Sequence, residues 1–520
     1  MTAVASANAA PDVTTNGQPQ TLGEAIRRNA AAAPEAVAIL STSFAPFSYG
    51  QLADQIDAVA AALREGGFGR DARIGIALQD GPQAGLAIVA VACSAVAVPL
   101  DPNLTLPEID GRLRLVGVDA VIVLAGSDSA ACAAAEQREI PVIEAASAAE
   151  GGLGLNLAVP KAGTIAPPNE PDPEAPAFIL QTSGTTAEPN LIPYRHRNML
   201  AAAARVKSWF NLGSRDRCLS VSPAYYCHGL TLTIFAPLLS GGSVAFPASP
   251  SRPDIDEWLG ALRPTWLSAG PTMHLILLEK MRSHAGPSLA HQLRFVVSGG
   301  APLPLNIQSG LQASLGVPVL EHYGATEAAQ ISANLPPPGR VKAGTCGIPD
   351  PNTIKIVSED GKPLGPREPG EILVGGPTVI AGYLNAPELN KSAFVDGWFR
   401  SGDIGSIDEE GFLTLHGRLR EMINRGGEKI SPLEIDGALL CHPEVAEAAA
   451  FAVPHPRLGE DVAAAVVLRP GAAARPEELR QFLATRLAWF KVPRRITIVQ
   501  NLPRGSTGKV QRRKLRESHL

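Results

Sequence analysis

The sequence predicts an α/β protein with a large N-terminal body of parallel sheets covered by helices, a small β-rich region, and a small α+β C-terminal domain. In the first half, apolar segments with strand-like alternation exchange with segments that repeat every three or four residues. From about residue 340 the pattern changes to short alternating strands separated by turns. The 520 residues leave room for two or more domains, at roughly 100 to 200 residues each.

Local signals predict individual elements of the N-terminal half. Thr21 followed by Glu24 is a capping-box pattern, which predicts the start of a helix. An apolar repeat over 52–63 predicts a second helix. The apolar run over 86–98 is shorter than the roughly 18 to 20 residues that a membrane span needs. We therefore expect a buried helix that enters a buried strand, and no membrane span.

Changes in composition predict the domain boundaries. The Pro-rich, polar stretch 160–176 is typical of an extended surface connection. After residue 418 a segment of roughly one hundred residues carries its own strands and helices, enough for a small domain. We expect a flexible arm over 1–20, a large domain over 21–418 and a small domain over 419–520.

Composition excludes several classes of protein and favours a cytoplasmic location. The chain has 45 Lys+Arg against 50 Asp+Glu, and 45% of its residues are hydrophobic, so fibrous and disordered classes are excluded. A net charge of -5 gives no overall field that gathers nucleic acid. The six cysteines form no CxxC pair, and the N-terminus lacks a basic and apolar secretory signal. A reducing, cytoplasmic compartment is the simplest interpretation.

The C-terminal end carries a concentrated positive charge. Residues 486–520 contain ten Lys or Arg and one acid, Glu517. Such a run is most often a solvated face. The functional alternative is a basic arm presented to a phosphate ligand, which requires a phosphate site elsewhere in the chain.

A hydroxyl-rich loop follows a predicted buried strand at 177–180. Backbone N–H groups and hydroxyls in such a turn can bind a polyphosphate, although an ordinary Ser/Thr turn has the same composition. The loop has neither a Walker lysine nor a GxGxxG pattern. The candidate phosphate-binding residues are Thr182, Ser183, Gly184, Thr185 and Thr186.

Five motifs occur in an order that resembles the adenylate-forming superfamily of acyl-CoA synthetases, luciferases and peptide-synthetase adenylation domains. The resemblance covers the chain from about residue 21. The motifs are TSGTT at 182–186, YGATE at 323–327, SGD at 401–403, GRLREMINRGGEKISP at 417–432 and GSTGK at 505–509. The stretches CHGL, GPTMH, GWFRSGDIG and INRGGEKISP are closest to the oxalate and small-acid CoA ligase branch.

The resemblance implies the reaction. ATP and Mg²⁺ activate a carboxylate as an acyl-adenylate with release of pyrophosphate, and CoA then accepts the acyl group. Since the carboxylate and the α-phosphate are both negative, cations and hydrogen-bond donors must be concentrated where they meet.

The resemblance also implies roles for the residues of the motifs. Glu327 would bind Mg²⁺ and Thr326 would donate to the α-phosphate, while Lys509 would bridge the α-phosphate and the attacking carboxylate. Tyr323 would lie against adenine and Asp403 would accept from the ribose hydroxyls. The remaining candidate nucleotide contacts are Gly300, Ala301, Gly324 and Arg418.

Motion of the C-terminal domain is implied as well. In the family this small domain rotates between an adenylating and a thioester-forming pose about the position that Arg420 holds here. Gly426 and Gly427 would then approach the pantetheine channel, where glycine allows close approach of the backbone. We expect Arg512 and its neighbours to be solvated surface or contacts to CoA phosphates rather than catalytic groups.

The phosphate loop departs from the family pattern TSGTTGxPKG. Ala187 and Leu191 stand where the family has glycine, and Asn190 stands where it has lysine. The missing positive charge weakens the expected contact with pyrophosphate. The presence of Lys509 and Glu327 still favours a working enzyme over a degenerate one.

The carboxylate substrate remains open at the level of sequence. Oxalate needs a cation for its second carboxylate, and the arginine expected before Ser298 is replaced by Val297, unless His228 or His322 supplies the charge. A wide, Gly-lined pocket would instead accept an aromatic or medium-chain acid. The candidate pocket residues are His228, with a catalytic gating role, Gly229, Ser298, Gly299, Gly300, His322 and Gly324.

Three functional hypotheses follow. The first is a stand-alone CoA ligase, either a monomer or a homodimer, that binds small molecules and neither nucleic acid nor membrane. The second keeps the adenylation chemistry but loads the phosphopantetheine of a carrier protein. The third is a nucleotide-binding regulator that has lost catalysis.

Overall fold

The computed structural model describes residues 18–148, 151–161, 164–167, 172–182, 189–250, 252–284, 290–505 and 509–518. Residues 1–17 of the predicted flexible arm therefore lie outside the described residues. The helices are α1 Leu22–Ala32, α2 Tyr49–Glu65, α3 Pro82–Ala92, α4 Leu106–Val116, α5 Ala130–Gln137, α6 His196–Phe210, α7 Ala236–Leu239, α8 Pro271–Ser283, α9 Leu305–Leu315, α10 Pro387–Ala393, α11 Pro432–Leu440, α12 Pro476–Ala484 and α13 Arg512–Ser518.

Strands alternate with these helices in the first half of the chain and dominate the second. They are β1 Val37–Ser41, β2 Phe47–Ser48, β3 Arg73–Ile76, β4 Val96–Pro99, β5 Ala120–Leu124, β6 Val142–Ser147, β7 Leu155–Ala158, β8 Pro176–Gln181, β9 Leu191–Arg195, β10 Arg217–Ser220, β11 Ser243–Phe246, β12 Trp266–Ala269, β13 Phe295–Ser298, β14 Val319–Ala325, β15 Ala329–Ala333, β16 Ile348–Pro349, β17 Ile354–Val357, β18 Gly370–Val374, β19 Phe394–Val395, β20 Trp398–Ile407, β21 Leu413–Arg418, β22 Ile423–Arg425, β23 Glu428–Ile430, β24 Val445–His455, β25 Gly459–Leu468 and β26 Arg495–Ile498. Short π-helices cover His228–Phe235 and Asp256–Ala261, and 3₁₀ turns cover Leu419–Glu421 and Trp489–Lys491.

Two large sheets form the N-terminal body. The nine-stranded sheet has the order β16-β15-β14-β13-β12-β10-β11-β1-β2, and the seven-stranded sheet has the order β7-β6-β5-β3-β4-β8-β9. The inner strands of both sheets run parallel and the edge strands antiparallel. Helix α3 is buried over most of its length and belongs to a core that contains residues of both sheets. The predicted buried helix that enters a buried strand is thus confirmed as α3 followed by β4.

The second half contains two smaller sheets. Strands β17, β18, β20 and β19 form an antiparallel sheet with β21 on β20, which confirms the predicted β-rich region. Strands β23, β22, β25, β24 and β26 form a separate sheet against which α11, α12 and α13 pack. The cores of this last sheet consist only of residues from 423 onward. The predicted α/β fold class is confirmed.

Local signals were accurate where they involved neighbouring residues. Thr21 caps α1 and forms the reciprocal capping box with Glu24, as predicted. The repeat over 52–63 lies within α2, whose buried face it forms. Within the described ranges, no helix is long and apolar enough to cross a membrane.

Half of the ten basic residues in the C-terminal run form ion pairs with acids of residues 419–520. Arg504 pairs with a glutamate of β24, and Lys491 with a glutamate of α11. Arg512 is 13% exposed and pairs with Asp436 and Glu421, so the expectation that it is solvated surface or a CoA contact is wrong. A run of like charges reveals nothing about acids elsewhere in the chain that neutralise it.

Candidate active site

The carboxyl ends of three adjacent parallel strands bring the predicted acyl-pocket residues together. Ser268 lies in β12, Ser298 ends β13, and His322 lies in β14. His228 begins a π-helix beside them and contacts the Ser268 hydroxyl and the His322 imidazole. Because the carboxyl ends of parallel strands meet at one edge of the sheet, residues far apart in sequence form one polar cluster.

The histidines of this cluster are uncharged at neutral pH. His228 Nε2 lies 2.9 Å from Ser268 Oγ, and His228 Nδ1 lies 3.4 Å from His322 Nε2. Burial lowers the pKa of His322 to about 4, and burial together with His322 holds the pKa of His228 well below its ordinary value. His274, behind the cluster, donates from Nε2 to the Val297 carbonyl at 3.0 Å, and burial lowers its pKa to about 4.

His322 occupies the space that Gly299 leaves open. A Cβ placed on Gly299 would lie 2.0 Å from His322 Nε2, so a side chain at 299 and this imidazole exclude each other. The glycine therefore accommodates a histidine of the protein itself. This part of the pocket is filled and polar, in contrast to the wide, Gly-lined pocket considered from the sequence.

The YGATE segment consists of the last three residues of β14 and the turn after it, and two tyrosines hydrogen-bond to this turn. The buried Tyr194 donates its hydroxyl to the Thr326 carbonyl at 2.7 Å. Tyr383 donates to Glu327 Oε1, also at 2.7 Å. Burial raises the pKa of Glu327, and the hydrogen bond from Tyr383 opposes this rise. The carboxylate is thus fixed in orientation at a poorly solvated position.

Asp403, Arg418 and Tyr323 form a second polar group. Asp403 in β20 lies directly opposite Arg418 in β21, and Arg418 Nε lies 3.1 Å from Asp403 Oδ1. Tyr323 donates its hydroxyl to Asp403 Oδ2 at 2.6 Å. Burial alone would lower the pKa of Arg418, but Asp403 and Glu421 raise it. The antiparallel pairing of β20 and β21 therefore places an anion and a cation side by side beside the YGATE turn.

Lys509 of the C-terminal domain lies close enough to these groups for their charges to act on it. Its side chain remains open to solvent, yet the protein around the cleft lowers the pKa of Lys509, and the charge of Arg418 lowers it further. The charges of Asp403 and Glu327 act in the opposite direction. Lys509 in turn contributes to the low pKa of His228. The ammonium therefore lies within electrostatic reach of both polar groups.

The predicted phosphate loop is described only at its two ends. Thr182 Oγ1 accepts from the Asn190 N–H, and the Asn190 carbonyl accepts from the Thr182 N–H, both at 3.0 Å. These bonds close the base of the loop. The predicted contacts Ser183, Gly184, Thr185 and Thr186, together with Ala187, lie outside the described residues.

The remaining candidates lie around this cleft and on the C-terminal domain. Gly300 and Ala301 are exposed in the segment that follows β13, Gly324 is near the end of β14, and Gly229 is in the first turn of the π-helix. Gly426 and Gly427 form the turn between β22 and β23. The predicted hinge residue Arg420 is exposed in the 3₁₀ turn that joins the two smaller sheets.

Comparison with known families identifies the chain. The family model of AMP-binding enzymes matches residues 26–384, and the model of the AMP-binding enzyme C-terminal domain matches residues 434–509. The chain belongs to the AMP-binding enzyme family. The adenylate-forming superfamily predicted from the five motifs is thereby confirmed.

Other members of the AMP-binding enzyme family resemble the chain over most of its length. An oxalate–CoA ligase of Arabidopsis thaliana is 36% identical over 82% of this chain and 84% of its own. A sulfoacetate–CoA ligase of Cupriavidus necator is 35% identical over 95% of this chain and 97% of its own. The crystal structure of ATP-bound MatB from Rhodopseudomonas palustris is 28% identical, with a TM-score of 0.85 over 96% of this chain and 99% of that one. These relatives support the small-acid CoA ligase branch.

Three residues of this AMP-binding enzyme's cleft were missed from the sequence. Ser268, Tyr194 and Tyr383 each hydrogen-bond a predicted site residue. Ser268 lies just before the GPTMH stretch, at the end of an apolar strand, and that position was a usable signal. The two tyrosines lie outside the recognised motifs, and nothing in their local sequence indicates their partners.

Proposed function

We propose that this protein is an ATP-dependent ligase that activates a short carboxylic acid as its acyl-adenylate and transfers the acyl group to CoA. The observation that carries the proposal is the contact of Arg418 and Tyr323 with Asp403 beside the Glu327 carboxylate that Tyr383 orients, with Lys509 within electrostatic reach of both acids. The relatives named as CoA ligases support the class of reaction.

The charges of the cleft suit the first half-reaction. A carboxylate oxygen attacks the α-phosphorus, the bond to the β-phosphate bridging oxygen breaks, and pyrophosphate leaves with that electron pair. Lys509 and Arg418 would reduce the repulsion between the two anions, because both cations would lie where the carboxylate and the α-phosphate meet. In the second half-reaction the thiolate of CoA attacks the acyl carbon and AMP leaves.

Glu327 fits a magnesium ion that is bound mainly by phosphate and water. Among the described residues, no group of three or more His, Cys, Asp or Glu side chains is placed to hold a metal by itself. Mg²⁺ keeps several waters and needs only one or two carboxylates besides substrate phosphates. The half-buried Glu327 carboxylate, oriented by Tyr383, is such a ligand. When bound, the ion would neutralise charge on the phosphates.

The acyl pocket favours a short acid with a second polar or anionic group. Two imidazoles and a serine hydroxyl lie at its inner end, and His322 fills the space beside Gly299. Val297 is a buried residue of β13 and supplies no cation. An entering anion would favour protonation of His228 or His322, which provides the missing charge. Oxalate and sulfoacetate, in the names of two relatives, are acids of this kind.

A basic cavity on the C-terminal domain supports CoA as the acceptor. It has a volume of about 480 Å³ and lies beside the β22–β23 hairpin that carries Gly426 and Gly427. We propose that the nucleotide part of CoA binds here after rotation of residues 419–520 about Arg420. A phosphopantetheine on a carrier protein lacks the 3′-phosphate and adenine that such a site would bind. The lining includes Arg425, Arg457, Arg480, Arg494 and the 77% exposed Trp489.

A thioester assay tests the proposal. The protein is incubated with ATP, Mg²⁺, CoA and a panel containing acetate, oxalate, malonate, sulfoacetate and benzoate, and thioesters are identified by mass. We expect product with a short diacid or sulfonate, a loss of at least about a hundredfold with Lys509→Ala, and little change with the exposed Lys514→Ala. Replacing CoA by dephospho-CoA should weaken the second half-reaction alone. ATP binding without thioester from any acid would contradict the proposal and favour a regulator.

A further inference from the structure

Tyr383 contacts the carboxylate that the proposed function assigns to magnesium. Its hydroxyl donates to Glu327 Oε1 at 2.7 Å, and the side chain is buried. The segment before it also holds the backbone of the same turn, because the Ile380 N–H donates to the Glu327 carbonyl at 3.0 Å. One short segment thus fixes both the main chain and the side chain of Glu327.

Tyr383 is itself held rigidly. The Asn390 side chain of α10 accepts from the Tyr383 N–H and donates to the Tyr383 carbonyl, both at 2.8 Å. Gly382 has a φ of +154° and would bring a Cβ to 3.0 Å from the Asn390 amide nitrogen, so this approach requires glycine. The phenol ring packs edge to face on Phe394, with centroids 5.6 Å apart. These contacts restrict the side chain, so the hydroxyl stays directed at Glu327.

The same segment is joined to the base of the phosphate loop. The Leu384 N–H donates to the Leu191 carbonyl at 2.9 Å, and the two residues form an isolated antiparallel bridge. Leu191 begins β9 immediately after Asn190, whose backbone closes the loop on Thr182. Hydrogen bonds, joined by the peptide links between Asn190 and Leu191 and between Tyr383 and Leu384, therefore connect the loop base to the Glu327 carboxylate.

We propose that Tyr383 is a positioning residue that orients the Glu327 carboxylate toward magnesium, from a segment that the Leu384–Leu191 hydrogen bond joins to the described base of the phosphate loop. The inference rests on the proposed function, since it assumes that Glu327 binds the metal of MgATP. A hydrogen bond to one carboxylate oxygen fixes the direction in which the other oxygen can coordinate a cation. Residues that orient metal ligands in this way commonly change metal affinity or activity by about 10- to 100-fold when they are removed.

The test replaces Tyr383 by Phe, which keeps the packed ring and removes the hydroxyl. ATP binding is measured by calorimetry at increasing MgCl₂, and pyrophosphate exchange is measured over the same series. We expect the Mg²⁺ concentration for half-maximal ATP binding to rise about tenfold, with unchanged ATP binding in EDTA and an unchanged KM for the carboxylate. The matched control is Tyr49→Phe, which removes a buried hydroxyl bonded to the Leu238 and Gly242 carbonyls.

Combination with Glu327→Gln separates this inference from the proposed function. If Glu327→Gln raises the Mg²⁺ requirement and Tyr383→Phe adds nothing in that background, the positioning role is supported. If Glu327→Gln raises the requirement but Tyr383→Phe matches the wild type, the positioning role alone is overturned. An equal shift in Tyr49→Phe would also overturn it, because the effect would then be general loosening. No shift with Glu327→Gln would overturn the magnesium assignment itself.

Discussion

Replacing Arg512 by Met should make local unfolding of the C-terminal domain far more frequent. Arg512 Nη2 donates to Asp436 Oδ2 at 2.7 Å, and the two side chains are 13% and 11% exposed. Arg512 Nη1 also donates to the Ala450 carbonyl at 3.2 Å, and Nε lies 3.3 Å from a Glu421 carboxylate oxygen. The guanidinium thus joins α13, which begins three residues after Lys509, to the core sheet and to the 3₁₀ turn.

The expected magnitude follows from the burial of the pair. Removing one partner of a buried ion pair costs about 3 to 5 kcal/mol, because the other charge stays buried without compensation. Since about 1.4 kcal/mol corresponds to a factor of ten, the equilibrium constant for local unfolding should rise by a factor of about 10² to 4 × 10³. Burial raises the pKa of Asp436 even though Arg512 lies beside it, so desolvation outweighs the attraction. Neutralising both partners should therefore recover much of the loss.

Hydrogen exchange measures this opening within the intact chain. Protection of the amides of α13 and β24 is compared by mass spectrometry in Arg512→Met and in Arg512→Met combined with Asp436→Asn, which keeps an oxygen for the Ala450 N–H. Arg513→Met is the matched control, since Arg513 is 68% exposed in a surface pair worth about 0 to 1 kcal/mol. Equal protection in the Arg512 and Arg513 variants would refute the reasoning, and so would a double variant less stable than the single one.

Three further outcomes are expected. The pKa of His274 is about 4 in the folded protein against an ordinary 6.5, so the unfolded state binds the extra proton and stability is lost as the pH falls from about 6.5 to 4. In urea unfolding at a series of pH values, His274→Gln should flatten this dependence of stability on pH. An unchanged dependence would show that His274 is not its source. The lowered pKa of Lys509 predicts that pyrophosphate exchange declines at a pH below the ordinary lysine value of 10.5, whereas Lys509→Arg should be slower without that decline. Arg420→Pro should impair thioester formation more than pyrophosphate exchange, because proline restricts the pivot; equal losses would contradict the hinge assignment.

Much of the fold follows from sequence because its signals are local. The capping box at Thr21 and the apolar run over 86–98 depend on residues within one element, and both gave the observed structure. The pairing of Asp403 with Arg418 follows less directly, since it requires the register of β20 on β21. That register is shifted by an irregularity between Ile404 and Gly405, which counting residues back from the turn does not reveal.

The parts of the site that sequence did not predict depend on contacts between distant segments. Tyr383 is 56 residues from Glu327, and Tyr194 is 132 residues from Thr326. Neither distance can be derived from spacing, because each depends on how two sheets pack together. Arg512 shows the same limit for charge, since its partner Asp436 is 76 residues away. A basic run predicts where positive charge is concentrated, but the fold decides which members remain available to a ligand.

Leu191 and Asn190, which replace the glycine and lysine of the family pattern, have different structural consequences. Leu191 begins β9 and is buried in a core that also contains residues of β5 and β8. Its carbonyl accepts a hydrogen bond from the segment that carries Tyr383, so the residue that replaces glycine anchors the exit of the loop. Asn190 closes the loop through its backbone, which any residue other than proline would do equally well. The replacement of lysine by Asn190 therefore removes a positive charge without affecting the backbone hydrogen bonds that close the loop. Under the proposed function, neutralising the phosphates would then depend more heavily on Lys509 and Arg418, two cations that the structure places near Glu327.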